Sequence, residues 1–582
     1  MLSLLRKREQ GSFRPGTSVN RCRQFYPFIV PNQTVLNVTC PDCTIKKFTC
    51  DGKYLIAFAK TVYQELCVYQ LNGFGVTKPE LLNEPVVENA VSFDQFFSLK
   101  YMLSLGAEDG EVLCKDFVLV TADGSMGIFA SATVPENSPQ DTPGTIPGLP
   151  VASSTSFHLV RLEDGVTLDR RSFTHDLINV SQNHGTYLYE DLFVVLSIRY
   201  QEIHIMQILP RGRFVDIHTI GTHCRPDDLM FIQELEHREQ LWRKEQKDAR
   251  KRDQRVQLFG RPSKRQAVIA TESSLTGGSS RAADAPDAAQ SDEQADAGRA
   301  DSKHMLSGFK QRLIEFMYRR IMEDDQEDKL PGSCRMREKQ RVALSDFYYN
   351  FSLHENLFFW RLQLLDRDHL LIKMGTADST LLHSDSSQHV AFLVVYCIST
   401  TEIVDIFSNS DERLLKLYEK HSTYWLLSPG GPSWMRYVST FSSKYLQDQV
   451  NRARRGGGRG EQRPQAIAIR RVLSMLPASA QSYTPSPYFD ASLFSYDEKA
   501  ISALTCERPK QSGENAVKFF SAKHPRRVLF RIDGDKNKQV VDTRSRRLVS
   551  YIFHPYLPLI ISIHQPFMQA PVIHFHFRWC PQ

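Results

Sequence analysis

The sequence predicts a mainly β protein, a degenerate WD-type β-propeller with helical insertions and one long disordered insertion, and three observations predict it. The first is a phrase of alternating apolar residues, a tight polar turn and a second alternating run, found at 157–168, 203–217 and 392–407, with looser copies at 66–71 and 528–541. Period-two alternation marks half-buried strands, and the Asp-Gly, Arg-Gly and Thr-Thr connectors let two strands pair as a hairpin. The second is a turn phrase, an aromatic residue followed two positions later by a variable residue, an Asp and a strand. It occurs as Phe48-Thr-Cys-Asp-Gly-Lys-Tyr-Leu-Ile-Ala-Phe58 and Phe494-Ser-Tyr-Asp-Glu-Lys-Ala-Ile501, with Phe553-His-Pro-Tyr-Leu-Pro-Leu559 as a variant. In a propeller blade such an Asp carboxylate holds the backbone of the turn before the inner strands. The third is placement: the copies lie at opposite ends of the chain, as expected where the first and last strands meet to close a ring. No copy carries the Trp-Asp dipeptide, hence the degenerate form.

Taken in order, residues 1–24 form a basic, leucine-bearing N-terminal arm, and 25–231 form the first half of the propeller. Residues 232–304 form a charged, largely disordered insertion, and 305–582 hold helical insertions and the second half of the ring. The first half of the insertion, a charged stretch containing Arg243-Lys-Glu-Gln-Lys-Asp-Ala-Arg-Lys-Arg252, is read as a charged helix, and it passes into Ser, Gly, Ala and Asp with almost no large apolar side chain. Such a stretch buries too little surface to offset its ordering entropy. Residues 135–150 and 452–463 read as surface loops. Beyond the insertion, Leu306, Phe309, Leu313, Phe316 and Met317 fall at helical spacing. A second helix is expected over 344–365, carrying Phe347, Tyr348, Phe351, Phe358, Phe359 and Trp360 as packing residues, and others near 410–420 and 466–476.

A chain of 582 residues with 41% hydrophobic content buries a sizeable core, and a formal charge of +6 is small for that size. The start, Met1-Leu-Ser-Leu-Leu-Arg-Lys-Arg8, has no apolar segment ahead of its charges, and no stretch reaches the roughly 20 apolar residues a bilayer span requires. A cytosolic or nuclear protein is expected, its 11 cysteines reduced and its sequons at Asn32, Asn37, Asn179 and Asn350 unused.

Catalytic signatures are missing: there is no Walker loop, dinucleotide fingerprint, nucleophile elbow or kinase motif. Cys40-Pro-Asp-Cys43, with Cys50 and Cys67 nearby, lacks the second properly spaced pair of a structural zinc site. His574 and His576 share one strand face near Cys580 and read as packing residues of a closing strand. No metal, cofactor or small-molecule substrate is expected. The basic clusters at 243–255, 261–265 and 452–463 suit nuclear import, phosphate contact or a solvated loop equally, and they lack the interleaved aromatic residues of a nucleic-acid platform.

Several longer strings then carry a family resemblance: Phe48–Phe58 as quoted, Gly185-Thr-Tyr-Leu-Tyr-Glu-Asp191, Thr219-Ile-Gly221, Leu362-Gln-Leu-Leu-Asp366, Val394-Val-Tyr396 and Thr400-Thr-Glu402. Leu476-Pro-Ala-Ser-Ala-Gln-Ser-Tyr483, Ser486-Pro-Tyr488, Ser492-Leu-Phe-Ser-Tyr-Asp497, Glu507-Arg-Pro509, Arg546-Arg-Leu548 and Phe553-His-Pro555 follow in the same order. From about residue 25 to 580 the chain resembles the de-etiolated-one family, in which abnormal-oocyte-like insect proteins are included; the 232–304 insertion and the short N-terminus depart from it. The resemblance implies a nuclear, non-catalytic substrate-receptor or scaffold subunit of a cullin-four RING ubiquitin ligase, directing transcription regulators to degradation. Implied partners are the damage-specific DNA-binding adaptor, its small associated subunit, a ubiquitin-conjugating enzyme and the photomorphogenic RING ligase. The alternative it leaves open is a chromatin-associated corepressor, for example of histone genes, contacting histones. No membrane partner is expected. Receptors of this ligase class insert a short N-terminal helix into the adaptor, and Leu2, Leu4 and Leu5 with Arg6, Lys7 and Arg8 are the candidate apolar anchors and cationic flank; a frayed tail is the other reading.

Overall fold

The computed structural model describes, apart from short interruptions, residues 25–72, 86–133, 153–230, 237–246, 308–323, 334–376, 391–414, 476–477, 486–496, 517–532 and 548–579. The chain divides into two compact units, one of 1–219 with 352–582 and one of 220–351.

The first unit is built from β-sheets. Its first sheet runs β2 (Cys43–Phe48), β3 (Tyr54–Ala59), β4 (Leu66–Leu71), β6 (Phe97–Leu103), and its second β7 (Val112–Val120), β8 (Met126–Ala132), β9 (Ser153–Arg161), β10 (Thr167–Asp176). The third is β11 (Thr186–Tyr189), β12 (Leu192–Ser197), β13 (Glu202–Leu209), β14 (Arg213–Ile220), and the fourth β15 (Phe358–Leu364), β16 (His369–Gly375), β17 (Ala391–Cys397), β18 (Glu402–Ser408). A fifth holds β19 (Phe494–Ser495), β20 (Val517–Ser521) and β21 (Val528–Ile532). In the sixth, β22 (Leu548–Phe553), β23 (Leu559–Gln565) and β24 (Val572–Phe577) are joined by β1 (Gln33–Leu36), with β5 (Val86–Glu88) parallel on its far side. The first and last strands of the unit therefore do meet, with Gln33 opposite Phe577 and Val35 opposite Phe575.

The three expected hairpins are present as β9–β10, β13–β14 and β17–β18. The looser copy at 66–71 is β4, which pairs with β3 and β6 rather than forming its own hairpin, and 528–541 contributes β21. The helix expected over 344–365 is corrected. The helix ends at Tyr349, a short helix covers Phe351–Glu355, and the chain then turns into β15, because Leu362, Gln363 and Leu364 are buried by pairing with β16.

Apolar clusters fasten successive sheets face to face. Phe519, Phe530, Phe553 and Ile560 join the fifth to the sixth; Leu55, Ile561 and Phe575 join the sixth to the first. Phe58, Val68, Val118 and Phe129 join the first to the second, and Phe117, Phe157, Phe193 and Met206 the second to the third. The third meets the fourth through Gln201, whose side chain accepts from the Phe359 N–H at 2.6 Å. Five packings in series result, and no closed ring is present among the described residues. Inner strands such as β12, in which all six residues are buried, face apolar neighbours on both sides.

The second unit holds α1 (Phe309–Glu323) and α2 (Cys334–Tyr349). Phe309 and Leu313 of α1 are buried, as their helical spacing predicts, and Tyr318 meets Phe347 of α2 at 5.9 Å between ring centroids. Asp228 anchors α1, accepting Arg312 Nη1 at 2.9 Å and Nη2 at 3.1 Å besides the N–H groups of Cys224 and Arg225. Burial alone would raise the Asp228 carboxyl; the bonds from Arg312 and the two N–H groups outweigh it and hold it low. Tyr348, expected to pack, lies exposed beside Tyr349, while Phe347 is the buried member. The helical positions at 237–238, 240–242, 244 and 246 fall within the segment read as a charged helix; the rest of the 232–304 insertion lies outside the described residues, as do 135–150, 452–463 and nearly all of 410–420 and 466–476.

Candidate functional site

The connections between first and second strands carry closely bonded polar groups. In the β2–β3 turn, Thr49 N–H donates to the Tyr54 carbonyl at 2.9 Å and Tyr54 N–H to Thr49 Oγ1 at 3.1 Å. The Thr49 hydroxyl and the Lys53 N–H then both donate to Asp51 Oδ1, at 2.6 and 3.1 Å. This is the Asp-held turn the sequence predicts. A twin, missed in the sequence, closes β7–β8: Thr121 hydroxyl to Asp123 Oδ1 at 2.6 Å, Ser125 N–H to Asp123 Oδ1 at 3.1 Å, Met126 N–H to Thr121 Oγ1 at 3.1 Å. Burial pushes the Asp123 carboxyl up, but bonds from Ser125 and Thr121 outweigh it and hold it below the ordinary carboxylate range.

The β22–β23 turn does the same work with a histidine. His554 Nδ1 accepts the N–H groups of Tyr556 and Leu557 at 3.1 and 2.9 Å, so its proton sits on Nε2, which donates to the Gly52 carbonyl at 2.9 Å. The expected Asp497 copy lies outside the described residues.

These turns abut one another. A Cβ on Gly124 would stand 3.2 Å from Asp51 Cγ, and one on Gly52, whose φ is +71°, would stand 2.5 Å from the His554 ring. Gly52→Ala is therefore expected to cost ~1–3 kcal/mol through left-handed strain and the displaced imidazole, read as a lower urea midpoint at unchanged slope. Cys50 lies at this junction and feels Lys47, Asp51 and Asp123; burial pushes its thiol up and the Lys47 amine down. Between the third and fourth sheets, Arg367 bridges the neighbouring turns, reaching Asp191 at 3.1 Å and Glu190 at 3.6 Å.

Burial lowers His554 from 6.5 to about 4, with the Gly52 carbonyl and Asp51 acting against it. The folded protein then binds fewer protons than the unfolded chain between those values. The His554 contribution is fully present above about pH 6.5 and is lost as pH falls toward 4, up to ~3 kcal/mol. Equilibrium denaturation across that range should show a loss that His554→Gln reduces.

At the other end of the strands lie buried polar sets. Glu111 accepts from Ser131, from Ser156 at 2.8 Å and from Arg170 Nη2 at 2.8 Å, while Ser131 Oγ meets His158 Nε2 at 2.6 Å. A set spanning the second and third sheets repeats the carboxylate, serine and histidine: Ser197 of β12 donates to Asp176 Oδ1 at the end of β10 at 2.9 Å, with His204 of β13 close by. Both serines are enclosed, 0% exposed at Ser131 and 1% at Ser197, so neither hydroxyl reaches a substrate and the sets act as cross-strand ties.

Of the thiols weighed for zinc, burial pushes Cys40 up to about 12 and Cys67 up to about 11, while Cys43 receives the Tyr69 hydroxyl at 3.9 Å. Among the described residues no three His, Cys, Asp or Glu side chains are grouped to hold a metal ion, and no helix is long and apolar enough to cross a membrane. His574 and His576 do pack inside the sixth sheet; Cys580 lies outside the described residues. So do Leu2, Leu4, Leu5, Arg6, Lys7 and Arg8 and the basic clusters at 261–265 and 452–463.

The sequence profile of De-etiolated protein 1 (Det1) matches residues 115–579. The chain belongs to the Det1 family. It is 36% identical to the light-mediated development protein DET1 of Arabidopsis thaliana, covering 97% of this chain and 96% of that one, and 33% identical to its namesake in Solanum lycopersicum with the same coverage. A solved uncharacterized protein of Listeria monocytogenes EGD-e aligns at 10% identity over 32% of this chain and 40% of that one, with a TM-score of 0.16 that carries no argument. Within the Det1 family match fall the Asp123 turn, the His554 turn and the Asp176, Ser197 and His204 set; the Asp51 turn and Glu111, the carboxylate of the second-sheet set, precede it.

Proposed function

We propose that this Det1-family chain is a non-catalytic substrate-receptor or scaffold subunit of a nuclear cullin-four RING ubiquitin ligase. The observation that carries the reading is the family relationship, which extends over 97% of the chain in both plant relatives. In this reading the six sheets are blades of a degenerate WD-type propeller, closed where β1 enters the sheet of C-terminal strands. The sheet-on-sheet packings and the recurring first turns support that arrangement. The arm with Leu2, Leu4, Leu5, Arg6, Lys7 and Arg8 inserts into the damage-specific DNA-binding adaptor, joined there by its small associated subunit. A ubiquitin-conjugating enzyme and the photomorphogenic RING ligase dock elsewhere, and transcription regulators are the proteins degraded.

Some geometry supports the arm's place. Asn32 Nδ2 donates to the Trp579 carbonyl at 2.8 Å and Trp579 N–H to Asn32 Oδ1 at 2.7 Å, so the arm departs from a chain position pinned to the C-terminal segment. A helix leaving such an anchor loses less freedom on docking than one on a free tail. Gel filtration of the purified chain mixed with the purified adaptor at high salt tests the reading. One co-eluting peak is expected. Separate elution, with salt-sensitive retention on nucleosomes, would favour the corepressor instead, because phosphate contacts weaken steeply as salt rises.

A further inference from the structure

The positive charge of the chain concentrates around one hairpin of the fifth sheet, which neither the turns nor the proposed ligase role uses. Residues 515–532, which include β20 and β21, carry five Lys or Arg and no Asp or Glu. Over 507–547 there are twelve Lys or Arg against five Asp or Glu, a surplus of seven, where the whole chain has a formal charge of +6. The surplus therefore survives the acidic residues that flank the hairpin, Glu514, Asp533 and Asp535 among them.

The two faces of the hairpin differ. Val517, Phe519, Phe530 and Ile532 enter the cluster that joins the fifth sheet to the sixth, where Phe519 stacks on Phe530 with ring centroids 4.4 Å apart. Period-two alternation turns Lys518 and Arg531 to the other face, and the ladder sets these two exposed cations directly opposite one another. Phe520, half-buried, and Val528, 46% exposed, are paired on that same face. Arg526 and Arg527, both exposed, follow at a turn closed by the backbone, with Arg527 N–H donating to the His524 carbonyl at 2.8 Å and Ser521 N–H to the Arg527 carbonyl at 3.0 Å. Like charges directly opposite on a sheet repel, and an anion laid between them removes that cost. An ion pair of Arg531 within the chain would take one cation from a surplus of seven.

We propose that the face carrying Lys518, Phe520, Arg526, Arg527, Val528 and Arg531 docks an extended acidic segment of a partner protein, with Asp or Glu at two positions four residues apart and an apolar residue midway. Alternate side chains of an extended chain point to one side at the spacing of alternate residues in the strands beneath. One carboxylate then lies over Lys518 and Arg531, the apolar side chain over Phe520 and Val528, and the second carboxylate toward Arg526 and Arg527. A nucleic-acid backbone would satisfy the cations but leave Phe520 and Val528 uncovered, and Phe519 and Phe530, 0% and 6% exposed, offer no platform for stacked bases.

Fluorescence anisotropy of a labelled peptide carrying two copies of Glu-Ser-Val-Ser-Glu, titrated with the full-length chain at about 50 and about 200 mM salt, tests this. Binding is expected at the lower salt and should weaken about fivefold or more at the higher, while the same peptide with Gln for Glu should bind at least about tenfold more weakly. The double variants Lys518→Glu/Arg531→Glu and Arg526→Gln/Arg527→Gln should each lose about fivefold or more, whereas Arg211→Gln/Arg213→Gln at the exposed β13–β14 turn should bind like the parent. The docking surface is overturned if the Gln peptide binds equally well, if neither hairpin variant weakens binding, or if a DNA duplex of about 12 base pairs binds more tightly than the peptide. It is overturned too if removing residues 282–298, the chain's own run of five Asp or Glu without Lys or Arg, strengthens binding about tenfold, since that run would then be the occupant. Should Lys518→Glu/Arg531→Glu fail to fold, the turn variant, which alters neither strand, decides the matter.

Discussion

Phe575→Ala is expected to lower stability by ~3–5 kcal/mol, the range for truncating a fully enclosed phenylalanine. Its ring is 0% exposed and touches Phe96 at 4.9 Å, Phe97 at 5.9 Å and Phe93 at 6.1 Å between centroids. The residue opposite it on β1 is Val35 and the one on β23 is Ile561. Truncation opens a cavity bordered by the N-terminal strand, the C-terminal strands and the 93–97 segment together, where no single element can collapse to fill it. Urea unfolding followed by tryptophan fluorescence checks the size, and a cost below ~1 kcal/mol would mean that the sixth sheet does not hold the unit together.

Glu111→Ala should cost a similar ~3–5 kcal/mol for a different reason. The carboxylate accepts two serine hydroxyls and the Arg170 guanidinium, and its loss strands the enclosed hydroxyls of Ser131 and Ser156 without their acceptor. Glu111→Gln keeps an acceptor oxygen and should lose markedly less. Equal losses in the two variants would show that the side chain matters for its volume rather than for the bonds it accepts.

How far the fold was legible follows from which strands face water. Outer strand β10 alternates exposed and sheltered positions, so its period-two signal survives in Thr167–Asp176. Strands β3 and β12 are buried on both faces, which erases the alternation, and they were not among the hairpins expected. The aromatic run at Phe358–Leu364 carries no period that separates a doubly buried strand from a buried helix, so it was read as helix. The meeting of β1 with β24 was expected only from where turn phrases sit, since partners so far apart leave no local mark.

The turns show the same limits. Asp51 was found because Phe48 precedes it, while Thr121-Ala-Asp-Gly-Ser-Met126 repeats the bonding residues of Thr49-Cys-Asp-Gly-Lys-Tyr54 behind a valine. The shared Thr-x-Asp-Gly is the signal that finds both. At the β22–β23 turn a histidine nitrogen replaces the carboxylate, a substitution of acceptors that residue type alone conceals. The carboxylate, serine and histidine sets were invisible because Glu111, Ser131 and His158 come from three separate elements at spacings that Asp176, Ser197 and His204 do not repeat.

Affinity purification with quantitative mass spectrometry, comparing the full-length chain with a variant lacking residues 1–10, tests the ligase assignment most directly. The full-length chain should recover the cullin-four adaptor, and the variant, folded and equally abundant, should not. Recovery of histones and chromatin proteins by both forms, with the adaptor in neither, would contradict it.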